Sequence, residues 1–376
     1  FATIWYVRPG ASGNGTSWSN ASGNLQAIIN AANTGDEVWV AGGTYRPTTD
    51  GNREMSFAMK AGVKIYGSFT GNETTLALRT LAVRSANPSI LSGDLGNNDV
   101  VQGSALGTPG LNFANNSDNS YHVINNNSNS LTTSNSLLDG FIISGGNATG
   151  TGANQQSGGG MYNLNSSPAL ANIIFRWNNA GAGGGLINLS SSPGVENVIF
   201  FQNTAANGAG IVIGLNSSPN LFNCIFSDNR VSANGGAMYI DQSSSPNIFN
   251  TTFTRNYSAT TGAVLVNSNS SVTVKNSIIW GNLNGNTNSA AGSFIGNVEN
   301  LAGITYSIVE NAWTGTGNTS NNPQFSNAAS PAGADGVFMT ADDGLRPDFC
   351  SPACNSGNNS GVSSIDILGN NRLFGT

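Results

Sequence analysis

The sequence predicts an all-β protein, a right-handed parallel β-helix wound in coils of about 25–27 residues. Three observations carry this: a repeated segment, two asparagine columns in register with it, and a composition nearly stripped of charge. The repeat emerges when the segments beginning at Gly158, Gly183, Gly208, Gly235 and Gly262 are aligned, with starts 25, 25, 27 and 27 residues apart. Each reads as a glycine pair or triplet, a short apolar strand, a polar turn, a second apolar strand and an asparagine. The turns are Ser166-Ser167-Pro168, Ser191-Ser192-Pro193, Ser217-Ser218-Pro219 and Ser244-Ser245-Pro246; the fifth keeps Ser270-Ser271 and has Val272 in place of proline. This period is too short for a two-helix repeat, and a leucine-rich consensus is absent. A coil of three short strands and three turns fits, with like residues stacked at about 4.8 Å.

Two columns follow from that stacking. Asn172, Asn197, Asn223, Asn250 and Asn276 stand three residues before Phe175, Phe200, Phe226, Phe253 and Ile279, and Asn178, Asn203, Asn229, Asn256 and Asn282 stand three after them. Both are expected to form structural ladders whose amides hydrogen-bond along the stack, while the phenylalanines fill the interior. Upstream the pattern loosens. Asn24 to Ala32, with Leu25, Ile28 and Ile29, reads as a short amphipathic helix covering the open end of the solenoid, an edge otherwise prone to pairing with other chains. Strands are expected at 37–40, 63–66, 89–91, 121–124, 137–143 and 305–309. The organisation is therefore a β-helix over residues 1–314, comprising a cap at 1–36, irregular coils at 37–157 and regular repeats at 158–314. A tail at 315–376 packs on the solenoid or caps it.

Composition narrows the function. Only 9% of the 376 residues are charged, against 49 glycines and 57 asparagines, and the net charge is -6. That charge excludes a nucleic-acid partner, which requires a basic stripe. No apolar run reaches the ~18 residues of a membrane-spanning helix, so direct membrane insertion is not expected. The composition suits a secreted or cell-surface protein. Cys224, within Asn-Cys-Ile-Phe, reads as an apolar filler. Cys350 and Cys354 are either a small disulfide loop, as an oxidising compartment permits, or two free thiols.

The opening Trp5-Tyr-Val-Arg-Pro-Gly-Ala-Ser-Gly-Asn-Gly-Thr-Ser-Trp18, with Gly35-Asp-Glu-Val-Trp-Val-Ala-Gly-Gly-Thr-Tyr45, resembles that of β-helix proteins exported by Bacteroidetes-type bacteria. So do Ile90-Leu-Ser-Gly-Asp94, Asn119-Ser-Tyr-His-Val123, Leu138-Asp-Gly-Phe141 and, in the tail, Asn322-Pro-Gln-Phe325, Ala341-Asp-Asp-Gly-Leu-Arg346 and Gly369-Asn-Asn-Arg372. The resemblance implies a surface protein of the type IX secretion route with a choice-of-anchor style tail. It also implies the pectate-lyase-like superfold, which polysaccharide lyases and glycosidases share. Fold does not settle function.

Candidate chemistry is sparse. His122 is the single histidine and reads as structural. A glycosidase needs carboxylates ~5–9.5 Å apart, and the repeats contribute Glu196, Asp228 and Asp241 as acids. A lyase needs an Arg or Lys base, often with Ca²⁺, and Arg176, Arg230 and Arg255 lie near one edge. Arg255, Asp228 and Arg176 are the catalytic candidates. Asp228 and Arg255 share one repeat position on neighbouring coils and read first as a surface ion pair. Asp335, Asp342 and Asp343 form the densest acidic set. Oxygen ligands on a glycine-containing loop suit calcium, the alternative being a solvated turn. Trp177, Tyr239, Tyr257 and Trp280 fall in or beside strands, as sugar-stacking rings or as ordinary packing. Two readings follow. The first is an adhesin, stalk or fibre component that binds carbohydrate, other surface proteins or itself. The second is a lyase or glycoside hydrolase for an acidic polysaccharide, with the loops 97–120 and 284–297 as groove walls.

Overall fold

The computed structural model describes residues 2–108, 110–260, 262–267, 269–285 and 303–372. Among the described residues four parallel sheets stack along the solenoid, two over nearly its whole length and two over its later coils only. Sheet I has ten strands from Ile4–Val7 to Ile304–Thr305, and sheet II nine from Gly43–Tyr45 to Ile308–Val309. Sheet III, from Asn147–Ala148 to Leu283–Asn284, and sheet IV, from Ile124–Asn127 to Leu265–Asn267, have six each. A regular coil passes Met161–Leu164 in sheet IV, Ala169–Ala171 in I, Ile174–Arg176 in II and Asn179–Ala182 in III, and then returns to IV at Leu186–Leu189. Four strands per coil replace the expected three. The segment after the second asparagine column pairs with its equivalents before the glycine turn. That turn is sharp because Gly183 (φ +68°) and its equivalents hold a conformation disfavoured for residues with a Cβ.

The interior column is as the repeat spacing demands. Phe175, Phe200, Phe226, Phe253 and Ile279 are direct register partners. The four rings stack with centroids 5.1, 4.5 and 5.0 Å apart, all at most 1% exposed. Such offset stacking adds about 0.5–1.5 kcal/mol per pair beyond area burial.

Asn178, Asn203, Asn229, Asn256 and Asn282 form an inner ladder at 0% exposure. Each Nδ2 donates to the next Oδ1 at 2.9–3.0 Å. A second bond goes to a main-chain carbonyl such as Phe175 O, Phe200 O or Phe226 O. Backbone amides of the preceding asparagine also reach these oxygens, so each buried amide is satisfied and carries little desolvation penalty.

The outer column works differently. Asn172, Asn197, Asn223, Asn250 and Asn276 occupy the corner between sheets I and II with φ of 51–54°. Asparagine tolerates this left-handed region better than most residues. Lateral amide bonds are looser, 3.4, 3.1 and 3.4 Å down the column from Asn172 to Asn250. The same corner holds Gly140 (φ +78°) and Tyr306 (φ +51°). It therefore splits two expected strands, 137–143 into Leu137–Asp139 and Phe141–Ser144, and 305–309 into Ile304–Thr305 and Ile308–Val309.

Two further columns were not anticipated. Asn126, Asn163 and Asn188 link by 2.9 Å amide bonds inside sheet IV. At the Ser-Ser turns, Ser191, Ser217, Ser244 and Ser270 each accept at Oγ from the backbone amide of the serine one coil earlier, at 3.0–3.2 Å. The N-terminal helix α1 (Leu25–Ala31) is capped by Asn24, which accepts from Ala27 N, and buries Leu25, Ile28 and Ile29 against the first coils. The strand expected at 121–124 begins where that range ends, at Ile124–Asn127. The loop 97–120 contains an antiparallel hairpin, Val100–Gln102 with Asn112–Ala114. The expected groove wall at 284–297 lies, beyond Gly285, outside the described residues.

The tail runs back along sheet II. Phe338 and Met339 pack on Ile174, Ile199, Phe201 and Ile225. Asn358 bonds Asn276 through both backbone groups, and Arg372 donates to Asn223 Oδ1 at 2.8 Å.

Candidate functional site

The predicted catalytic residues do not converge. Asp228 and Arg255 occupy the corner between sheets II and III, with φ of +56° and +58°. Arg255 Nε meets Asp228 Oδ1 at 2.9 Å, and Ser227 Oγ donates to Oδ2 at 2.6 Å. The pair is not a surface one: side-chain exposure is 26% for Arg255 and 4% for Asp228. Burial pushes the Asp228 carboxyl above the usual range, and Arg255 and Ser227 oppose it. The carboxylate thus has both oxygens occupied.

Arg176 lies two coils earlier, its register column running Arg176, Phe201, Ser227, about 10 Å along the axis at the strand spacing. Arg230 is elsewhere again, in sheet III over the Tyr257 ring at 3.9 Å and bonded to Ala105 O of the hairpin. Trp177, beside Arg176, gives its Nε1–H to Gln202 Oε1 at 2.9 Å. His122 is 6% exposed, with Nδ1 2.9 Å from Gly158 O, and burial lowers its pKa.

Asp335, Asp342 and Asp343 bind their own loop. Asp342 Oδ2 accepts from Ala334 N and Asp335 N at 2.7 and 3.3 Å, and Oδ1 from Thr340 Oγ1 at 2.7 Å. Asp335 Oδ1 takes Val337 N, and Asp343 Oδ2 takes Met339 N at 2.9 Å. Burial pushes the Asp343 carboxyl up to about 6, against the hydrogen bonds from Met339 and Thr340. Among the described residues no group of three or more His, Cys, Asp or Glu is arranged to hold a metal. The three carboxylates clasp their own loop: Asp342 takes two backbone N–H groups and the Thr340 hydroxyl, and Asp335 and Asp343 take one backbone N–H each. The disulfide alternative is corrected as well. Cys350 and Cys354 are exposed free thiols, and the Cys354 backbone amide closes a turn onto Ser351 O at 3.0 Å. Cys224 is buried and its thiol is pushed up to about 12.

What the clasp positions is a cavity of about 160 Å³. Gly336, Val337, Phe338 and Met339 form one wall, and Ile90, Ile142 and Ile174 of sheet II form the floor. Two arginines line it. Arg176 stacks on Trp177 at 4.1 Å, and its enclosed Nε has no hydrogen-bond partner. Arg84 comes from helix α2 (Leu81–Ala86), which Thr80 caps by accepting from Val83 N. Its enclosed Nε is likewise without a partner, while its Nη1 makes a long ion pair with Asp139 Oδ1 at 3.9 Å. Arg79 holds that carboxylate at 3.1 Å. Burial lowers the pKa of both Arg84 and Arg176. Sequence reasoning found Arg176 and missed Arg84, because six residues give too little periodicity to reveal a helix. The available signal was Thr80 as an N-cap ahead of Leu81-Ala-Val-Arg84.

No protein-family profile matches the chain. No curated protein matches it. Among solved structures, the crystal structure of pectate lyase Pel9A aligns over 99% of this chain and 96% of its own, with a TM-score of 0.50 and 16% identity. Likeness at that identity shows the fold: a pectate-lyase-like right-handed parallel β-helix.

Proposed function

We propose that the chain is a non-enzymatic, rigid solenoid of the cell surface or the extracellular space, acting as an adhesive, stalk or fibre module. The inner asparagine ladder carries this reading. Five consecutive coils commit a fully buried, fully bonded amide to axial cohesion. The predicted catalytic side chains, by contrast, are dispersed over different faces or occupied by structural partners. Resemblance to exported bacterial β-helix proteins and a charge content of 9% support the location. Polysaccharide, other surface proteins or further copies of the chain are the partners this reading admits. The test is immuno-electron microscopy of the source cell together with an adhesion assay on a deletion strain. Surface label and reduced adhesion are expected; label confined to the cell interior overturns the reading.

One observation favours the catalytic alternative. Arg176 lies in a cavity with its pKa lowered by burial, the direction a general base requires. Incubation with uronate polysaccharides, read by the absorbance of unsaturated products, separates the two. Turnover abolished by Arg176→Ala or Arg255→Ala replaces the structural reading with a lyase.

A further inference from the structure

We infer that the cavity between helix α2, sheet II and the tail is a binding site for a small organic carboxylate, with Arg84 and Arg176 as its anion-recognising pair. This goes beyond the structural reading and stands apart from it, since a stalk with or without the site remains a stalk.

Three guanidinium groups, Arg79, Arg84 and Arg176, gather around the single carboxylate of Asp139 or the cavity beside it, within a chain of net charge -6. Arg79 takes the short contact with Asp139 and also bonds Asp139 O and Gly67 O, so its charge is answered. Arg84 is left at 3.9 Å from the same oxygen, and Arg176 meets an aromatic face, not an anion. No acidic residue lines the cavity among the described residues. Both guanidinium groups are partly buried with an enclosed Nε that no acceptor meets, and the desolvation this costs is offset only by the long Asp139 contact at Arg84 and by the Trp177 face at Arg176. An incoming anion removes that cost at both arginines through charge-assisted hydrogen bonds.

Shape supplies the rest of the ligand. One water needs roughly 10–15 Å³ of such volume, whereas this cavity offers about 160 Å³. Ile90, Ile142, Ile174, Phe338 and Met339 give it a mostly apolar lining. A bare inorganic anion leaves that lining unmet; a carboxylate on an apolar or ring-shaped body meets both halves. The far wall is held by the aspartate clasp, Asp342 on Ala334 N and Asp343 on Met339 N, so the pocket is preformed.

Titration calorimetry on the whole chain tests this with benzoate and galacturonate as carboxylate probes, benzamide as the uncharged control and inorganic sulfate as the bare anion. Saturable binding of at least one carboxylate and none of benzamide is expected. Arg84→Gln and Arg176→Gln should each weaken it at least tenfold, the scale of one charge-assisted bond, and Arg176→Lys should restore part of the loss. Denaturant midpoints report folding of each variant, and Arg84, on a partly exposed helix, supplies the readout if the Arg176 variants unfold. Absence of binding by both carboxylates, equal binding by wild type and either glutamine variant, or binding of sulfate alone overturns the assignment.

Discussion

At Asn197 the main chain turns through φ +54° while the side-chain amide bridges coils at 3.4 and 3.1 Å. Asn229 itself lies outside the left-handed region and makes four close hydrogen bonds at 2.8–3.1 Å. The two columns therefore predict different mutational signatures. Asn197→Ala should cost more than Asn197→Gly by about 1 kcal/mol, because only the alanine is strained in the left-handed region. Asn229→Ala should cost about 2–4 kcal/mol by leaving buried donors and a carbonyl unanswered. Denaturant unfolding of the three variants measures both. Asp343 predicts a pH effect. Burial raises its folded carboxyl from the ordinary aspartate range to about 6. The folded state thus binds the proton more tightly, and this contribution to stability is present at acid pH and lost as pH rises from about 4 to about 6. Unfolding midpoints across that window should fall, and Asp343→Asn should flatten the slope. The position of both asparagine columns was legible in the repeat. Their different roles were not, because spacing reports recurrence and not backbone conformation. The Asn126–Asn163–Asn188 column was hidden for another reason: it interrupts apolar strands for three coils, then gives way to Ile213.

Helix α1 and the phenylalanine stack protect the same core from different directions. Phe226→Ala opens a void between two stacked rings and should cost about 3–5 kcal/mol, read from chemical denaturation. Ile28→Asp should leave the fold of the later coils intact but loosen the cap. The uncovered first coil then exposes unpaired strand edges, and light scattering should register self-association absent from wild type. Helical spacing of Leu25, Ile28 and Ile29 announced the cap, and the repeat register announced the stack. The corner that cuts 137–143 and 305–309 in two was not announced, since Gly140 and Tyr306 share no side-chain chemistry with the asparagines whose backbone geometry they adopt. Sheet III is not legible because its strands are two to four residues long, the first three built from Asn, Ala, Thr and Gly, too short for the apolar signal by which strands are read.

Over the whole molecule, cohesion is additive coil by coil, as expected of a solenoid. Hydrogen exchange should therefore show the greatest protection in the central coils, from Asn172 to Asn256, and the least in the tail, whose backbone is held mainly by turns and side chains. The candidate cavity could not be read from the chain, because it joins α2, sheet II and residues 336–339, with Arg84 and Met339 255 positions apart and brought together only by the tail's return path. That path has a mechanical consequence. Tension applied at Arg372 enters the solenoid sideways at the Asn223 corner, not through its final turn. The lower coils are bypassed, and the tail must peel away, contact by contact, before any turn of the helix can be drawn out.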